Sequence, residues 1–183
     1  MSTSPRIPLI PTAEFTDEQA ELGGGRGNPR GDLHFVRALV NHPALYRSWI
    51  PFAEQLVYGS TLPARDREIL IIRTSELCGE RYEAIHHVHI GRTLGLSDEE
   101  MQSAATGGAL LPAFEQALIR ASNELVADYR ISDATWAALA ERYTTEQLME
   151  VVFVVANYSL MSMVTNTFGI TPESDVGGSW KPF

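Results

Sequence analysis

Pro63-ARDREILIIRTSELCGERYEAIHHVHIGRTL-Gly95 decides the fold of this chain. Proline suits a first helical turn, so Pro63 opens a helix that carries the apolar run Ile69-Leu-Ile-Ile72. Gly79 closes or kinks that helix, and a second is expected from about Glu80 to Leu94 with Gly95 as its stop. Working outward, Ser97-x-x-Glu100 caps a short helix ending near Gly107-Gly108. Pro112 to Tyr129 is amphipathic, with Phe114, Leu118, Ala121, Leu125 and Val126 on one stripe. A shorter helix follows over Ser132 to Tyr143. Thr144-x-x-Gln147 then caps a long last one reaching about Phe168. Upstream, Asp32 to Asn41 and Pro43 to Tyr58 are helical as well.

The last helix carries one conflict. Val151 to Ala156 has strand composition, but the preceding cap and an apolar run longer than a strand favour helix. A helix apolar on nearly every face needs several neighbours, some of which a small bundle can find in another subunit. The expected fold class is therefore all-α, a single helical bundle over residues 31–170. Residues 1–30 form an extended N-terminal segment with one short helix starting at Thr16, where Gln19 completes a capping box, and 171–183 form a tail. Gly23 to Gly31 (GGGRGNPRG) is loop punctuation, because no strand precedes it and no Gly-Lys-Ser/Thr follows.

Composition narrows the function. Lys plus Arg is 14 against 23 Asp plus Glu, and with no basic tract the chain is a poor binder of nucleic acid or of an anionic membrane. Cys78 is the only cysteine, which excludes an intrachain disulfide and points to a reducing cytoplasm. The N-terminus has no long apolar run of the signal-peptide kind, and the window Leu148–Val164 reads as too short and too polar to span a membrane.

The chemistry concentrates in Glu76 to His89, which holds three acids, Tyr82 and three of the five histidines. Helical spacing places Glu80, Glu83 and His87 along one side, with Tyr82, His86 and His89 on a neighbouring side. A histidine beside carboxylates can be poised for proton transfer near neutrality, and Glu68, leading into the apolar run, is expected to be partly buried. The bland alternative is a set of solvated helix pairs, each worth about 0.2–0.5 kcal/mol. Metal binding is the other alternative. Glu83-x-x-His86 matches one element of di-iron bundles but has no second, whereas Glu80, Glu83 and His87 could hold a divalent ion by spacing alone. No metal is expected. Cys78 reads as a small packed hydrophobe.

These residues resemble a known family. Leu62-Pro-Ala-Arg-Asp-Arg-Glu-Ile-Leu-Ile-Ile-Arg-Thr74, then Cys78-Gly-Glu-Arg-Tyr-Glu-x-x-His-His87, then Gly95-Leu-Ser-Asp-Glu-Glu100, are similar to the carboxymuconolactone decarboxylase family, which includes the AhpD-like alkylhydroperoxidases. The likeness extends from Asn41-His-Pro-Ala-Leu45 to Arg130-Ile-Ser-Asp-Ala-Thr-Trp136 and Tyr158, covering roughly residues 30–170.

The resemblance implies a homotrimer or homohexamer with the active site near subunit contacts. It also implies that the peroxidase branch's two redox cysteines fall on Glu80 and Glu83, its histidine on His87 and its upstream glutamate on Glu68. Disulfide-cycling peroxidase activity should then be absent, since thiol exchange needs two sulfurs. What the resemblance leaves is cofactor-free decarboxylation of a carboxylated lactone or related acid. His87 would be the general acid/base oriented by Glu83, with Glu80 and Glu68 as further proton carriers. Tyr82 and His86 would bind substrate by donating to a developing oxyanion. Arg65, Arg67, Arg73, Arg81 and Arg92 surround the motif as possible carboxylate forks. Two other classes stay open: a non-catalytic oligomeric binding protein, and a metal-dependent hydratase or hydrolase.

Overall fold

The computed structural model describes residues 4–173. Residues 1–3 of the expected lead-in and 174–183 of the expected tail lie outside them. The described residues form nine α-helices and two short 3-10 turns. The helices are α1 (Asp17–Leu22), α2 (His34–Leu39), α3 (Pro43–Tyr58), α4 (Ala64–Leu77), α5 (Tyr82–Thr93), α6 (Asp98–Thr106), α7 (Ala113–Asp128), α8 (Asp133–Ala140) and α9 (Thr145–Phe168). All three capping boxes form: Thr16 with Gln19, Ser97 with Glu100, and Thr144 with Gln147. Each satisfies two amide donors that a helix start leaves open.

α4 is the central element and packs against α5, α6, α7 and α9. Ile69, Leu70, Ile71 and Ile72 are each no more than 1% exposed, so this helix meets protein on every side. Burying each such side chain contributes about 1.5–3 kcal/mol. That placement sets the site, because Glu68 precedes the run and is carried into the same interior. α5 comes close to α6 at Gly91, where a Cβ would sit 2.9 Å from Met101 Sδ.

Two features differ from the sequence reading. α5 begins at Tyr82 rather than Glu80, because Gly79 turns the chain through φ +59° and Glu80 stands outside the helix as its cap. The N-terminal segment is not merely extended. Phe15 and Ala20 form a second small core with Val36, Val40 and Tyr46, and Arg37 donates to the carbonyls of Leu9 and Ile10.

α9 runs 24 residues, long and apolar enough by length and composition to cross a membrane, which corrects the shorter window read from sequence. Half of the most apolar 18-residue stretch of α9 is buried, with Val151, Val154, Val155, Tyr158 and Met161 facing the bundle. Its opposite face leaves Met149, Phe153, Leu160 and Met163 exposed, with the Phe153 ring edge-on to Phe52 of α3.

Candidate functional site

The site grows from α4, α5 and α9, which meet around one imidazole. His87, on α5, is 4% exposed. Its Nδ1 lies 2.6 Å from Glu68 Oε2 on α4, and its Nε2 lies 2.9 Å from the Tyr158 hydroxyl on α9. The Tyr158 ring meets the imidazole edge-on at 4.9 Å. Glu83, one turn before His87, places Oε2 3.6 Å from the same Nε2.

Burial works against a charge on His87, but the Glu68 carboxylate and then Glu83 outweigh it and raise its pKa to about 10. His87 is therefore an imidazolium at neutral pH. Both ring nitrogens donate, Nδ1–H to Glu68 and Nε2–H to the Tyr158 oxygen. Burial, with the Glu83 and Glu68 charges, pushes the Tyr158 phenol well above its ordinary range, so it keeps its proton. Its hydroxyl hydrogen remains available for Glu83 or a bound molecule.

Behind Glu68, Arg67 Nε stands 3.6 Å from Glu68 Oε1, and neither atom has a hydrogen-bond partner among the described residues. The buried set Arg67, Glu68, His87 and Glu83 alternates in sign, which lets these charges persist away from water.

Glu80 does something else. Its Oε1 accepts the Tyr82 N–H at 2.6 Å and its Oε2 the Glu83 N–H at 2.8 Å. The Thr165 hydroxyl on α9 also donates to it, at 2.9 Å. Burial and the Glu83 charge push its carboxyl up, against the pull of those bonds. Its carboxylate is thus engaged at the start of α5, and it does not share a helix side with Glu83 and His87. The metal alternative through Glu80, Glu83 and His87 loses its ligand set on the same geometry. Among the described residues no group of three or more His, Cys, Asp and Glu side chains is arranged to hold a metal ion.

A cavity of about 350 Å³ opens beside the imidazole and is lined by Tyr82, Glu83, His86, His87 and Tyr158, with Phe35 and Trp49 as aromatic walls. Glu68 and Glu80 lie outside this lining. His86 is half-buried against the Tyr82 ring at 4.7 Å, and His89 faces solvent. Neither Tyr82 nor His86 points to a free oxyanion position, because both already bind Glu173: the Tyr82 hydroxyl at 2.9 Å and His86 Nε2 at 3.0 Å.

None of the five arginines singled out by sequence lines the cavity. Arg65 pairs with Glu100 and Glu115, Arg73 binds Asn123 and the Ala105 carbonyl, Arg92 pairs with Asp98, Arg81 is exposed and Arg67 sits behind Glu68. The arginine in the lining is Arg30, from the glycine-rich segment, ion-paired with Glu54 at 2.5 Å. Sequence reasoning missed it because no local pattern ties Arg30 to α5. It missed Tyr158 because that tyrosine sits in an apolar helix, where an aromatic reads as core. Cys78 ends α4, half-buried, away from the lining.

Residues 43–127 match the sequence model described as the carboxymuconolactone decarboxylase family. That span includes Glu68, Glu80, Glu83 and His87 and leaves out Arg30 and Tyr158. No curated protein matches the sequence with significance. Among solved structures, the chain is similar to an uncharacterized peroxidase-related protein from Silicibacter sp. TM1040, at TM-score 0.79 and 15% identity over 97% of each chain. It is also similar to an alkylhydroperoxidase AhpD core protein, likewise uncharacterized and peroxidase-related, from Ralstonia eutropha JMP134, at TM-score 0.78 and 19% identity over 94% of each chain. A third, a protein of unknown function from Agrobacterium tumefaciens, aligns at TM-score 0.67 and 15% identity, covering 75% of this chain and 96% of its own. At these identities the likeness speaks for the AhpD-like fold alone.

Proposed function

We propose that this chain, whose residues 43–127 match the carboxymuconolactone decarboxylase family model, is a cofactor-independent lyase or isomerase acting on a small organic acid, most simply a decarboxylase of a carboxylated lactone or related acid. One observation carries this reading. A buried histidine ring is held from behind by Glu68 at 2.6 Å and has its second nitrogen beside Tyr158 and Glu83, in the lining of a cavity.

The chemistry such an arrangement suits is proton delivery. When the bond between carbon and carboxylate breaks, carbon dioxide leaves and the electron pair stays behind as an enolate. The Tyr158 hydroxyl donates a hydrogen bond to the enolate oxygen. His87 Nε2–H transfers its proton to the carbon, forming the new C–H bond and leaving a neutral imidazole. Solvent protons, through Glu83, restore the imidazolium. The sum is one carboxylate and one proton consumed, one carbon dioxide and one C–H bond formed. Glu68 orients His87, the part the sequence had given to Glu83.

Disulfide-cycling peroxidase chemistry has no support in this chain, because Cys78 is its only cysteine and glutamates stand where the family resemblance places the two redox cysteines. The exposed apolar stripe on α9 supports a homo-oligomer, a trimer or hexamer, as the working form.

Proton NMR in D2O on a panel of carboxylated lactones and β-keto acids tests the reading. Loss of carbon dioxide with deuterium at the newly protonated carbon, absent with His87→Ala, is the expected result. Line broadening that shows binding, with no turnover across the panel, would turn the assignment toward a binding protein.

A further inference from the structure

Two side chains of the cavity wall, Tyr82 and His86, already hold a carboxylate, and it belongs to the chain itself. Tyr82 and His86 line the cavity together with Leu33 and Phe35, and through these two side chains it adjoins Glu173, which stands with His34 just outside the lining. Glu173 Oε1 accepts from the Tyr82 hydroxyl at 2.9 Å and from the His34 backbone N–H at 2.5 Å, while Oε2 meets His86 Nε2 at 3.0 Å. Beyond α9, Gly169 turns the chain through φ +70°, and the Thr171 carbonyl bonds His34 Nδ1 at 2.8 Å, which delivers Glu173 to that place.

The cradle has the properties of a carboxylate receptor. Its three donors converge on two oxygens of one group, and Tyr82 is only 3% exposed. Burial opposes the Glu173 charge, yet the bonds from His86, the His34 amide and Tyr82 hold its carboxyl down at about 2. The cradle therefore selects the ionised form, and charge-assisted bonds of this kind are the strong ones. The ring of Tyr82 stacks on Phe35, so an apolar body can lie against aromatic walls while its carboxylate meets the donors.

We propose that the His34 amide, the Tyr82 hydroxyl and His86 Nε2 form a carboxylate-binding subsite at the edge of the cavity, which the chain's own Glu173 fills until a substrate carboxylate displaces it. This rests on the proton-transfer reading above and names its substrate class: a small carboxylate with a flat or ring-shaped apolar body. A tethered carboxylate competes at an effective concentration in roughly the millimolar range, so it lowers apparent affinity for any free acid.

Calorimetric titration of the full chain with benzoate tests the proposal. Glu173→Gln keeps the shape and removes the charge, and Glu173→Ala removes the side chain. Both should bind benzoate at least about tenfold more tightly than the parent. Adding Tyr82→Phe or His86→Ala to Glu173→Gln should return most of that gain. Unchanged or weaker binding in the Glu173 variants, or a gain that survives both second substitutions, overturns the proposal. Titration reads binding without turnover. A negative result therefore leaves His87 as proton donor standing, and a His87→Ala variant that binds benzoate tightly without Glu173 tests the subsite alone.

Discussion

Glu68 Oε2 and His87 Nδ1 are 2.6 Å apart with both side chains buried, so the carboxylate is the principal counter-charge of the imidazolium. Removing either partner leaves the other buried with a weaker counter-charge, Arg67 for Glu68 and Glu83 for His87, each at 3.6 Å.

That pairing makes stability depend on pH in a defined window. The His87 pKa is raised from 6.5 to about 10 on folding, so its contribution is fully present below about 6.5 and is lost as pH rises through about 10. The melting temperature should be level just below that window, where the carboxylates stay ionised, and decline across it. Differential scanning calorimetry on the parent and on Glu68→Gln checks this, with the decline expected only in the parent.

Glu68→Gln should also change the rate profile. With the carboxylate gone, burial is opposed by Glu83 alone, so the His87 pKa falls and the donor form is scarce at neutral pH. The alkaline limb of kcat should move to lower pH. The lost hydrogen bond costs about 1–3 kcal/mol, because His87 escapes the larger penalty by giving up its proton. A limb that stays in place would remove His87 from the donor role.

Tyr158→Phe keeps the ring edge-on to His87 and deletes one oxygen. The expected loss is about 10²–10³ in kcat, the size found for removing one donor to a developing oxyanion, with KM little altered. Steady-state kinetics on the substrate identified by NMR decides it.

Glu80→Ala separates capping from chemistry. Removing a helix cap costs about 0.5–2 kcal/mol, and here the Thr165 hydroxyl loses a partner too. Urea denaturation should show that loss while kcat per folded molecule stays within about twofold of the parent, an interval set by a purely structural role. A collapse of kcat would return Glu80 to the proton path.

Cys78→Ser should leave hydroperoxide consumption unchanged. One half-buried thiol has no resolving partner, so parent and variant are expected to consume peroxide at the same slow rate in a coupled assay. A clear drop in the variant would give Cys78 a catalytic role.

The parts of this molecule that were legible in its sequence are those with local causes. α3 and α9 begin and end where Pro43, Tyr58, the Thr144 cap and Phe168 place them, because caps and stops act within one turn. Glu68, Glu83 and His87 could be grouped before any coordinates, by helical spacing and by resemblance. Glu80 was misplaced by a single turn of chain: a glycine at positive φ moved it from the helix to its cap, and spacing cannot register that. Arg30, Tyr158 and Glu173 come from segments far from α5 in sequence and meet it only through packing. No periodicity connects them.

Three helices converge on the His87 ring: α4 through Glu68, α5 through its own backbone, α9 through Tyr158. The imidazole is thereby a rivet of the core as well as the proposed donor. Natural selection acting on folding alone would retain Glu68, His87 and Tyr158 together, so their persistence in relatives would testify to architecture as much as to catalysis. Cavity residues outside that convergence, such as Arg30 and Glu54, which pair with each other away from the imidazole, are where divergence between substrates would leave its record.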